Sequence, residues 1–320
     1  MIKYILKRLI LMLFTLFVVI TLCFMLIRAL PSSPPEGSSL AQSQMILERW
    51  EALGYNKPLL VQFGIYLKNI FTRFDFGTSW KISKTQPALE LLVGRLTPTV
   101  LVNLYALLLS IPVGIALGIL AAIKKNKWQD HLISTLVMFF VSVPSYIYAF
   151  LVQYFLFFKL GWFPQTIYSL SDAGGWFTGK MLYSMALPVL ALSFGQIAGL
   201  CRFTRAELTE ALTSDYMLLA RAKGLTRAQA TTRHALKNAM VPILPMIISS
   251  FIGILGGSLV IESIFSIPGV GQLYVQSVQQ RDYDVFMLNS IFYTLTGLLA
   301  GIVVDISYGF IDPRIKMGER

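Results

Sequence analysis

Residues 174–180 read Gly-Gly-Trp-Phe-Thr-Gly-Lys, which is nearly the spacing of a phosphate-binding loop. In such a loop the glycines free backbone N–H groups to surround a phosphate, and the lysine contacts its oxygens. Met181 stands where the Mg²⁺-binding serine or threonine belongs, and no strand is predicted before the loop. Because the motif requires a strand, the loop and a helix in succession, we interpret the stretch as a chance similarity. Any ATP hydrolysis must then take place on another chain.

The other reactive side chains are too few for the common catalytic or metal sites. His131 and His234 are the only histidines in the sequence, so no His-rich metal cluster can form. Cys23 and Cys201 fall in apolar stretches, and two lone thiols provide neither a metal site nor a disulfide framework. A serine protease acting within a membrane would need serine and histidine at one membrane depth, whereas both histidines flank apolar runs. Composition therefore argues against a metalloenzyme and an intramembrane protease.

The composition excludes a soluble globular fold. Of the 320 residues 55% are hydrophobic, and only 13% carry a charge. A soluble domain of this length cannot bury so much apolar surface in one core, so a lipid bilayer must solvate it. The net charge of +11 would also suit a nucleic-acid-binding protein, but the Lys and Arg residues separate apolar runs instead of gathering on one face. We expect the bilayer, and no nucleic acid, as a partner.

Six uncharged apolar runs are long enough to cross a bilayer as helices. About 30 Å of hydrocarbon requires about 20 helical residues, and helices satisfy their own backbone hydrogen bonds in lipid. We predict an all-α integral membrane protein with six transmembrane helices. The predicted spans are Leu9–Ile27, Leu96–Ile123, Leu132–Phe158, Met181–Cys201, Ala239–Ile261 and Val285–Val304.

The first apolar run follows Lys3, Lys7 and Arg8, as the apolar part of a cleaved signal peptide would. The run is longer than that part of a signal peptide, and no small-x-small cleavage site follows before Pro31. We therefore predict that it is retained as the first transmembrane helix.

The distribution of Lys and Arg predicts the orientation of the spans. These residues gather at the N-terminus, just after the second run, between Arg202 and Lys237, and at the C-terminus (Arg314, Lys316 and Arg320). Short loops rich in Lys and Arg stay in the cytoplasm, whereas a long loop such as that between residues 28 and 95 is discounted. We predict that both termini are cytoplasmic.

The segment between the first two spans is predicted to form a small folded cap on the outer side. Residues 31–35 read Pro-Ser-Ser-Pro-Pro and cannot continue a helix. Beyond them, residues 45–53 and 59–71 have the apolar spacing of helices, and Gly54 and Pro58 separate them. The cap is either a structural lid or a docking platform for an external partner, and its sequence fits both.

A basic helix-turn-helix is predicted on the cytoplasmic side, between the fourth and fifth spans. Its first helix ends with Arg221 and Lys223, which favour the negative end of the helix dipole, and with Gly224, where a positive φ costs nothing. Thr226 and Gln229 have the spacing of a capping box that starts a second helix. Such a projection suits contact with anionic lipid and equally suits insertion into a partner protein.

A third informative segment, residues 262–271, follows the fifth span on the predicted outer side. Pro268, Gly269 and Gly271 force tight turns within it. The preceding pair of glycines at 256 and 257 allows the fifth helix to bend or to pack closely on a neighbour. The segment is either a re-entrant plug of the bundle or an external gate for a solute.

The helix-turn-helix resembles the cytoplasmic coupling loop of binding-protein-dependent ABC importer permeases. Residues 218–220 read Leu-Leu-Ala where the family usually has Glu-Ala-Ala, so the glutamate is absent, but Gly224 is present at the expected spacing. Residues 220–224 (Ala-Arg-Ala-Lys-Gly) and 234–239 (His-Ala-Leu-Lys-Asn-Ala) resemble the variant of the dipeptide, oligopeptide and nickel branch, which commonly lacks the glutamate. In that family the loop sits in a groove of the ATPase subunit.

The similarity extends over nearly the whole chain. The long cap after the first helix resembles the B-type permease, whose partner is a C-type subunit with a shorter loop. The resemblance implies the type I ABC importer permease fold with a small external cap. The other matching segments are Asp75–Ser79, Gly114–Ala122 with the lysines at 124 and 125, Ser142–Ser145, Glu262–Gly271, Arg281–Tyr283, and Asp305–Ile315 with its Asp312-Pro-Arg motif.

The resemblance also implies an assembly and its location. We expect a second permease subunit (C-type), one or two ABC ATPase subunits and an external solute-binding protein, in the plasma (inner) membrane of a prokaryote. The chain is expected to be no enzyme and to bind no cofactor or metal, because ATP and Mg²⁺ belong to the ATPase subunits. The expected solute is a di- or oligopeptide, and nickel or another small solute is the alternative.

The residues expected to carry these roles form two groups. The residues that couple the chain to the ATPase lie in loop 203–240, and those of an external gate or binding-protein side follow the fifth span. The corresponding division of the chain is the first helix (1–30), the cap (31–95) and a five-helix core (96–320). The coupling residues are Asp215, Tyr216, Ala220, Arg221, Ala222, Lys223, Gly224, Leu225, Arg227 and His234. The outer residues are Glu262, Phe265, Pro268, Gly269, Gly271, Arg281 and Asp282.

A secondary transporter is the competing class. It would need ionisable groups deep in the bundle, whereas all six runs are uncharged, and no internal repeat is visible. Four polar residues lie in or beside the spans. They could line a solute path, but we favour a role in hydrogen bonding between helices. These residues are Asn103, Gln153, Gln196 and Asn289. Asp305, at the cytoplasmic end of the last span, is expected to pair with a basic residue.

Overall fold

The computed structural model describes residues 2–30 and 39–311, and most of them are helical. The proline-rich start of the cap (31–35), the motif at 312–314 and the C-terminal cations Arg314, Lys316 and Arg320 lie outside the described residues. The first seven helices are α1 (Ile2–Arg28), α2 (Leu40–Ala52), α3 (Leu59–Arg73), α4 (Ala88–Ile123), α5 (Trp128–Ser142), α6 (Ser145–Val152) and α7 (Leu170–Ala173). The others are α8 (Gly179–Leu212), α9 (Asp215–Ala222), α10 (Arg227–Ala230), α11 (Leu236–Gly253), α12 (Leu259–Ile264), α13 (Val270–Gln279) and α14 (Tyr283–Ile311).

Within the described residues, five helices are long and apolar enough to cross a membrane, and a bent pair of helices provides a sixth crossing if it is counted as one span. Four of the five contain a predicted run completely. They extend beyond it because polar residues continue the helix outside the apolar stretch. The five are Leu6–Arg28, Ala88–Ile123, Gly179–Leu212, Arg227–Gly256 and Tyr283–Ser307.

The third predicted span is not one straight helix. α5 ends at Ser142, and α6 with the π-helical turn Gln153–Lys159 runs at 105° to it. Pro144 causes the break, because the residue before a proline is pushed out of the helical region. Val143 accordingly has an extended backbone, with φ −84° and ψ 127°. The prediction of an uninterrupted helix from 132 to 158 is wrong because it weighed apolarity and length and gave no weight to the proline.

The fifth predicted span, 239–261, is also interrupted. α11 ends at Gly253, and a short 3₁₀ turn (Ile254–Gly256) follows it. Gly257 then takes a positive φ of 60° before α12 begins. The glycine pair therefore ends the helix, and the prediction of a single helix over this range is wrong. At the other end α11 continues α10 through a second π-helical turn, Thr231–Ala235.

Contacts along the chain define two compact units. Unit 1 comprises Met1–Thr99, Leu255–Leu259 and Pro268–Leu299. Unit 2 comprises Val100–Ile254, Val260–Ile267 and Ala300–Arg320. The predicted division of the chain at residues 30 and 95 stays a prediction.

In unit 1, α1 packs against α3 through aromatic rings. Phe24 is fully buried, and the centroid of its ring lies 5.2 Å from that of Phe63 and 5.1 Å from that of Tyr66. Such aromatic pairs each contribute about 0.5–1.5 kcal/mol beyond the area they bury. Met287 and Ile291 of α14 belong to the same cluster. The first helix is thereby packed against the cap and against the first turns of α14.

In unit 2, α8 is the central helix and packs against α5, α6 and α11. α4 approaches α8 closely at two glycines. A Cβ atom at Gly118 would lie 2.5 Å from Cβ of Thr204 and 2.8 Å from the carbonyl oxygen of Cys201, and one at Gly114 would lie 2.8 Å from Cβ of Leu200. Small residues allow helix backbones to approach in this way in membranes. The predicted segment 114–122 thus serves as a packing surface for α8.

Candidate functional site

The predicted helix-turn-helix is present as α9, a turn and α10. Gly224 in the turn has φ +89°, which a glycine adopts without the steric cost of a side chain. The hydroxyl of Thr226 accepts a hydrogen bond from the N–H of Gln229 (3.3 Å), and the side chain of Gln229 accepts one from the N–H of Thr226 (3.0 Å). These bonds complete the predicted capping box and fix the direction in which α10 leaves the turn. We call residues 215–234 the knob.

The inner face of the knob consists of small and apolar side chains. Met217 and Ala220 of α9 are each 5% exposed, and Ala230 and, directly after the knob, Ala235 are fully buried. Alanine side chains let the two short helices pack closely, so the knob is held firmly against the rest of unit 2. The partners in this cluster are Ala122 of α4, Leu208 and Ala211 of α8, and Ala239 of α11.

The outer face of the knob combines exposed apolar side chains with cations. Leu218 is 65% exposed, Leu219 is 56% exposed, and Tyr216 is also exposed. By helix spacing, Arg221 lies beside Leu218, and its side chain is exposed too. An exposed apolar patch among polar groups is typical of a surface that binds another protein or a membrane. The outer face is therefore suited to contact with a partner.

The predicted coupling residues are not all on this outer face. Ala220 is buried on the inner face and Leu225 is half-buried, while the remaining eight are exposed. The sequence interpretation omitted Leu218 and Leu219, which are the largest exposed apolar side chains of the knob. The two leucines stand where the family usually has Glu-Ala. The sequence did not predict that they are exposed, because their exposure depends on how α9 is oriented. The role of these residues in coupling stays a prediction.

An ion pair that the sequence did not suggest links α5 to α8. Asp130, in the first turn of α5, is 1% exposed. Nε and Nη2 of Arg205 in α8 donate hydrogen bonds to its two carboxylate oxygens, at 2.5 and 2.8 Å. The backbone N–H of Asn126 (2.9 Å) and the hydroxyl of Ser134 (3.2 Å) also donate to the carboxylate. The pair thus fixes the turn before α5 to α8, three residues before Leu208 of the knob's inner cluster.

Two carboxylates at the start of α14 hold the cap, which in the described residues comprises 39–87. Asp282 is fully buried, and its carboxylate accepts four hydrogen bonds. The donors are the hydroxyl of Ser79 (2.7 Å) and the backbone N–H groups of Trp80 (3.1 Å), Lys81 (2.9 Å) and Ile82 (3.0 Å). Successive N–H groups that converge on one point form an anion-binding nest. In this chain the nest is filled by the protein's own carboxylate.

Asp284 holds a second part of the cap. It accepts hydrogen bonds from Nη2 of Arg28 (3.1 Å), from the hydroxyl of Tyr55 (2.8 Å) and from the backbone N–H of Thr78 (3.1 Å). Gly77 has φ +95°, and a Cβ atom there would lie 2.5 Å from the carboxylate carbon of Asp284. Burial and the nearby charge of Asp284 raise the pKa of Tyr55 well above its usual value, so its hydroxyl stays protonated and donates.

The motif Asp75–Ser79 and the segment Arg281–Asp284 therefore meet in unit 1. Within the cap, Arg49 of α2 adds a two-pronged ion pair to Asp75, with both N–O distances at 2.8 Å. The sequence analysis placed Asp282 on the side of an external binding protein. In the structure its carboxylate is occupied within the chain, whereas the adjacent Arg281 is exposed.

The predicted outer loop is largely buried within the single chain. Glu262 is 2% exposed and Phe265 is fully buried, and Gly269 and Gly271 are buried as well. Pro268 is half-buried. The tight turns expected from the proline and glycines are present between α12 and α13. The role of this loop as an external gate stays a prediction.

Two of the polar residues in the spans differ in their bonding. The side-chain amide of Gln153, in the π-helical turn, donates to the carbonyl oxygens of Gln165 (3.3 Å) and Ile264 (3.4 Å), so it links separate segments as predicted. The side-chain amide of Asn289 donates to the carbonyl oxygen of Val285 in its own helix (2.9 Å). That bond does not join two helices.

The residues described so far form surfaces, ion pairs and anchors. In the described ranges, no group of three or more His, Cys, Asp and Glu side chains is placed to hold a metal ion. The arrangement can bind and orient other proteins through the knob, and it can hold the cap on the start of α14.

Comparison with known proteins covers nearly the whole chain. Residues 114–317 match the family described as binding-protein-dependent transport system inner membrane component, and residues 1–90 match the N-terminal region of such membrane components. The dipeptide transport system permease protein DppB of Lactococcus lactis is 37% identical over 99% of this chain and 100% of its own length. The oligopeptide transport system permease protein OppB of Haemophilus influenzae is 34% identical, with the same coverage.

A third relative, the glutathione transport system permease protein GsiC of Salmonella typhimurium, is 34% identical over 99% of both chains. These likenesses extend from the first helix through the cap to the last span, and they include the knob. The chain therefore belongs to the family of binding-protein-dependent transport system inner membrane components, and it is a permease subunit of an ABC importer rather than an enzyme.

Proposed function

We propose that the chain forms half of the translocation path of an ATP-driven importer of short peptides. The observation that carries the proposal is the full-length similarity to permeases named for dipeptide, oligopeptide and glutathione transport. Each of those solutes contains amide bonds, so a peptide is the class of solute they share. The chain binds no cofactor of its own in this proposal, and ATP and Mg²⁺ are bound by partner subunits.

The proposed partners are a second permease subunit (C-type), one or two ATPase subunits and an external solute-binding protein. The proposed location is the plasma (inner) membrane of a prokaryote, with both termini in the cytoplasm. The concentration of Lys and Arg in the knob and in the turn between α4 and α5 supports this orientation. The cap then lies outside, where it serves as a platform for the binding protein.

The construction of the knob supports the proposed contact with an ATPase. Leu218 and Leu219 are exposed apolar side chains. A partner that covers them would remove them from water, and this burial would stabilise the complex. The knob's buried inner face joins it to α4, α8 and α11. α9 follows directly on α8, and α10 runs into α11 through the π-helical turn. A displacement of the knob would therefore reach two spans at once, which is what coupling of ATP hydrolysis to helix movement requires.

Reconstitution of the complete complex tests the proposal. We expect proteoliposomes with the chain, its C-type partner, the ATPases and the binding protein to accumulate a labelled peptide only when ATP is supplied on the ATPase side. Replacement of the catalytic glutamate of the ATPase should abolish accumulation. Peptide transport by this chain without an ATPase would exclude the ATP-driven mechanism. Accumulation of Ni²⁺ without accumulation of any peptide would exclude peptide as the solute.

A further inference from the structure

A cavity of about 420 Å³ lies among α4, α8, α11 and α14 in unit 2. Its volume is within the range of about 300–1,000 Å³ that is usual for small-molecule sites. The residues that line it carry no charge, and they include Leu107, Gln196, Gly199, Met246, Ser249 and Ser250. Neither the knob nor the cap uses this cavity.

The residues that line the cavity belong to apolar runs predicted to cross the bilayer. Gln196 is near the middle of α8 (Gly179–Leu212), and Leu107 is near the middle of α4 (Ala88–Ile123). The cavity is partly open, so a solute can enter it, and its few polar groups stand among apolar surface.

Two polar groups of the lining have no hydrogen-bond partner among the described residues. Oε1 of Gln196 is buried without a hydrogen bond to any described residue. Ser250, another lining residue, donates to the carbonyl oxygen of Met246 in its own helix (2.9 Å). Ser249 makes no such bond to residues 2–30 or 39–311, so its hydroxyl is available.

We propose that this cavity is a binding site for the backbone of the solute on its way through this subunit. Gln196 and Ser249 exchange hydrogen bonds there with a peptide group of the solute. The inference rests on the proposed function, since it takes a short peptide as the solute. It adds the place and the chemistry of recognition, which the similarity to relatives does not provide.

The chemistry of the lining fits an uncharged peptide group. A glutamine amide donates and accepts at the same time, and so does a serine hydroxyl, which matches the N–H and C=O of a peptide bond. A charged terminal ammonium or carboxylate would need a counter-charge to leave water, and the lining contains none. Leu107 and Met246 offer apolar surface, and a methionine adapts to side chains of different shape. The site therefore recognises backbone and tolerates varied side chains.

A thiol placed in the cavity tests whether the solute enters it. The background carries Cys23→Ser and Cys201→Ala, and the probe variant carries Ser249→Cys in the complete reconstituted complex. We expect a hydrophilic methanethiosulfonate to label this thiol during ATP-driven cycling. Trialanine with the binding protein should slow the labelling at least about threefold, because an occupied site excludes the reagent. The control is Ser193→Cys, whose parent side chain is fully buried and bonded to the carbonyl oxygen of Val189 (2.6 Å).

Labelling at position 249 that trialanine leaves unchanged would overturn the proposal, as would equal labelling of the Ser193→Cys control. An unreactive Ser249→Cys would overturn it too, since the cavity would then be closed to water throughout the cycle. Thiol labelling needs no transport activity, so it stays informative for a variant that imports poorly.

Uptake by a second set of variants tests the hydrogen bonds. Gln196→Leu and Ser249→Ala should each lower trialanine uptake by about tenfold, the equivalent of one lost hydrogen bond of about 1.4 kcal/mol. ATPase stimulation by the binding protein should persist, because the knob is untouched. Ser290→Ala, outside the cavity lining, is the matched control. Its uptake should stay within about twofold of wild type, because its hydroxyl donates to the carbonyl oxygen of Phe286 in its own helix (2.9 Å).

The outcomes separate this inference from the proposed function. If the wild-type complex imports no peptide, the proposed function fails. If the wild type imports trialanine and Gln196→Leu and Ser249→Ala import it equally well, only the cavity site fails. An equal loss in Ser249→Ala and Ser290→Ala would also overturn the site, since a general effect on helix packing and not hydrogen bonding to the solute would then explain both.

Discussion

The carboxylate of Asp282 lies 2.7 Å from the hydroxyl of Ser79, although 203 positions separate the two residues in the chain. The same carboxylate closes the backbone nest of Trp80, Lys81 and Ile82. The cap is thus fixed by a carboxylate at the start of α14. A second carboxylate, Asp284, accepts hydrogen bonds from Arg28 of α1 and from Tyr55 of the cap. The two carboxylates therefore fix the cap to the start of α14.

Replacement of Asp282 by Asn should release the cap. The amide keeps the shape of the side chain, but its NH₂ group must face N–H donors that now lack an acceptor. We expect a loss of about 2–4 kcal/mol in stability of the cap, as for a buried hydrogen-bonded charge that is removed. Limited proteolysis from the outer side should show faster cleavage within residues 39–87.

The neighbouring Arg281→Gln variant is the control for this experiment. Arg281 is exposed, so its loss should leave the cleavage rate within about twofold of wild type, as for surface substitutions generally. Equal cleavage of wild type and Asp282→Asn would show that the nest contributes little to holding the cap.

The sequence predicted the elements whose causes are local. The apolar runs predicted the spans, and Gly224 and Thr226 predicted the turn and the capping box of the knob. Each of these elements depends on residues that are close together in the sequence. The prediction of the third span as one helix was wrong, because a single residue, Pro144, breaks the helix within a long apolar run. The bend there follows from backbone sterics that a count of apolar residues does not include.

The anchors could not be predicted because their partners are far apart in the chain. Asp282 and Ser79 each stand in a recognisable motif, but no local pattern says that the two motifs meet. The pairing of Asp130 with Arg205 has the same origin: 75 positions separate them. In both cases an acidic residue at the start of a helix indicated only a favourable helix terminus, and its true partner depends on how the helices pack.

The pair between Asp130 and Arg205 should be required for a firmly held knob. Arg205→Lys keeps the charge and loses the two-pronged geometry, so part of the carboxylate's hydrogen bonding is lost. We expect a destabilisation of about 1–3 kcal/mol, judged from hydrogen bonds to charged groups. The thermal midpoint of the purified protein in detergent should fall, and ATP-driven uptake should fall more than ATPase stimulation.

The exposed Arg202→Lys variant on the same helix is the comparison, and it should behave as wild type because its guanidinium is exposed. Asp130→Asn should resemble Arg205→Lys in direction, since it weakens the same contacts. If Asp130→Asn and Arg205→Lys both keep the uptake and the thermal midpoint of the wild type, the ion pair has no role in holding the knob.

The orientation of the chain is open to labelling with an impermeant thiol reagent. Lys125→Cys, in the turn between α4 and α5, should react only from the cytoplasmic side, and Phe177→Cys should react only from outside. Both positions are exposed, and Phe177 is 77% exposed. Trp80 belongs to the predicted external cap, but it is only 4% exposed and therefore unsuited to labelling. Reaction of Lys125→Cys from the outer side would reverse the predicted topology.

The exposed leucines of the knob should contribute to ATPase binding. Leu218 and Leu219 together offer a large apolar area, and their joint change to Ala should weaken co-purification of the ATPase by about tenfold or more, given about 1–3 kcal/mol per buried leucine. Leu40→Ala, at an exposed leucine of the cap, is the control. Unchanged recovery of the ATPase with the double variant would place the contact elsewhere.

Gly224→Val should uncouple ATP hydrolysis from uptake while the chain still inserts into the membrane. A Cβ atom at this position would meet nothing within 4 Å, so there is room for the side chain, and the cost comes from the backbone alone. With φ +89° a β-branched residue is strained by about 1–3 kcal/mol, and the turn relieves the strain by changing the angle between α9 and α10. The outer face of the knob would then meet the ATPase in the wrong orientation. ATPase stimulation and peptide uptake in proteoliposomes measure the effect.

Two further variants separate turn geometry from charge. Gly224→Asn should retain most of the uptake, because asparagine tolerates a positive φ better than other side chains do. Joint replacement of Arg221 and Lys223 by Ala tests lipid contact, for which the loss should follow the charge removed and should be insensitive to the turn. If the knob couples the two proteins, Gly224→Val must lose more uptake than Gly224→Asn, since only the valine forces the turn to move. Normal stimulated uptake by Gly224→Val would remove the coupling role of the knob, and with it the structural argument that ATP hydrolysis reaches α8 and α11 through this turn.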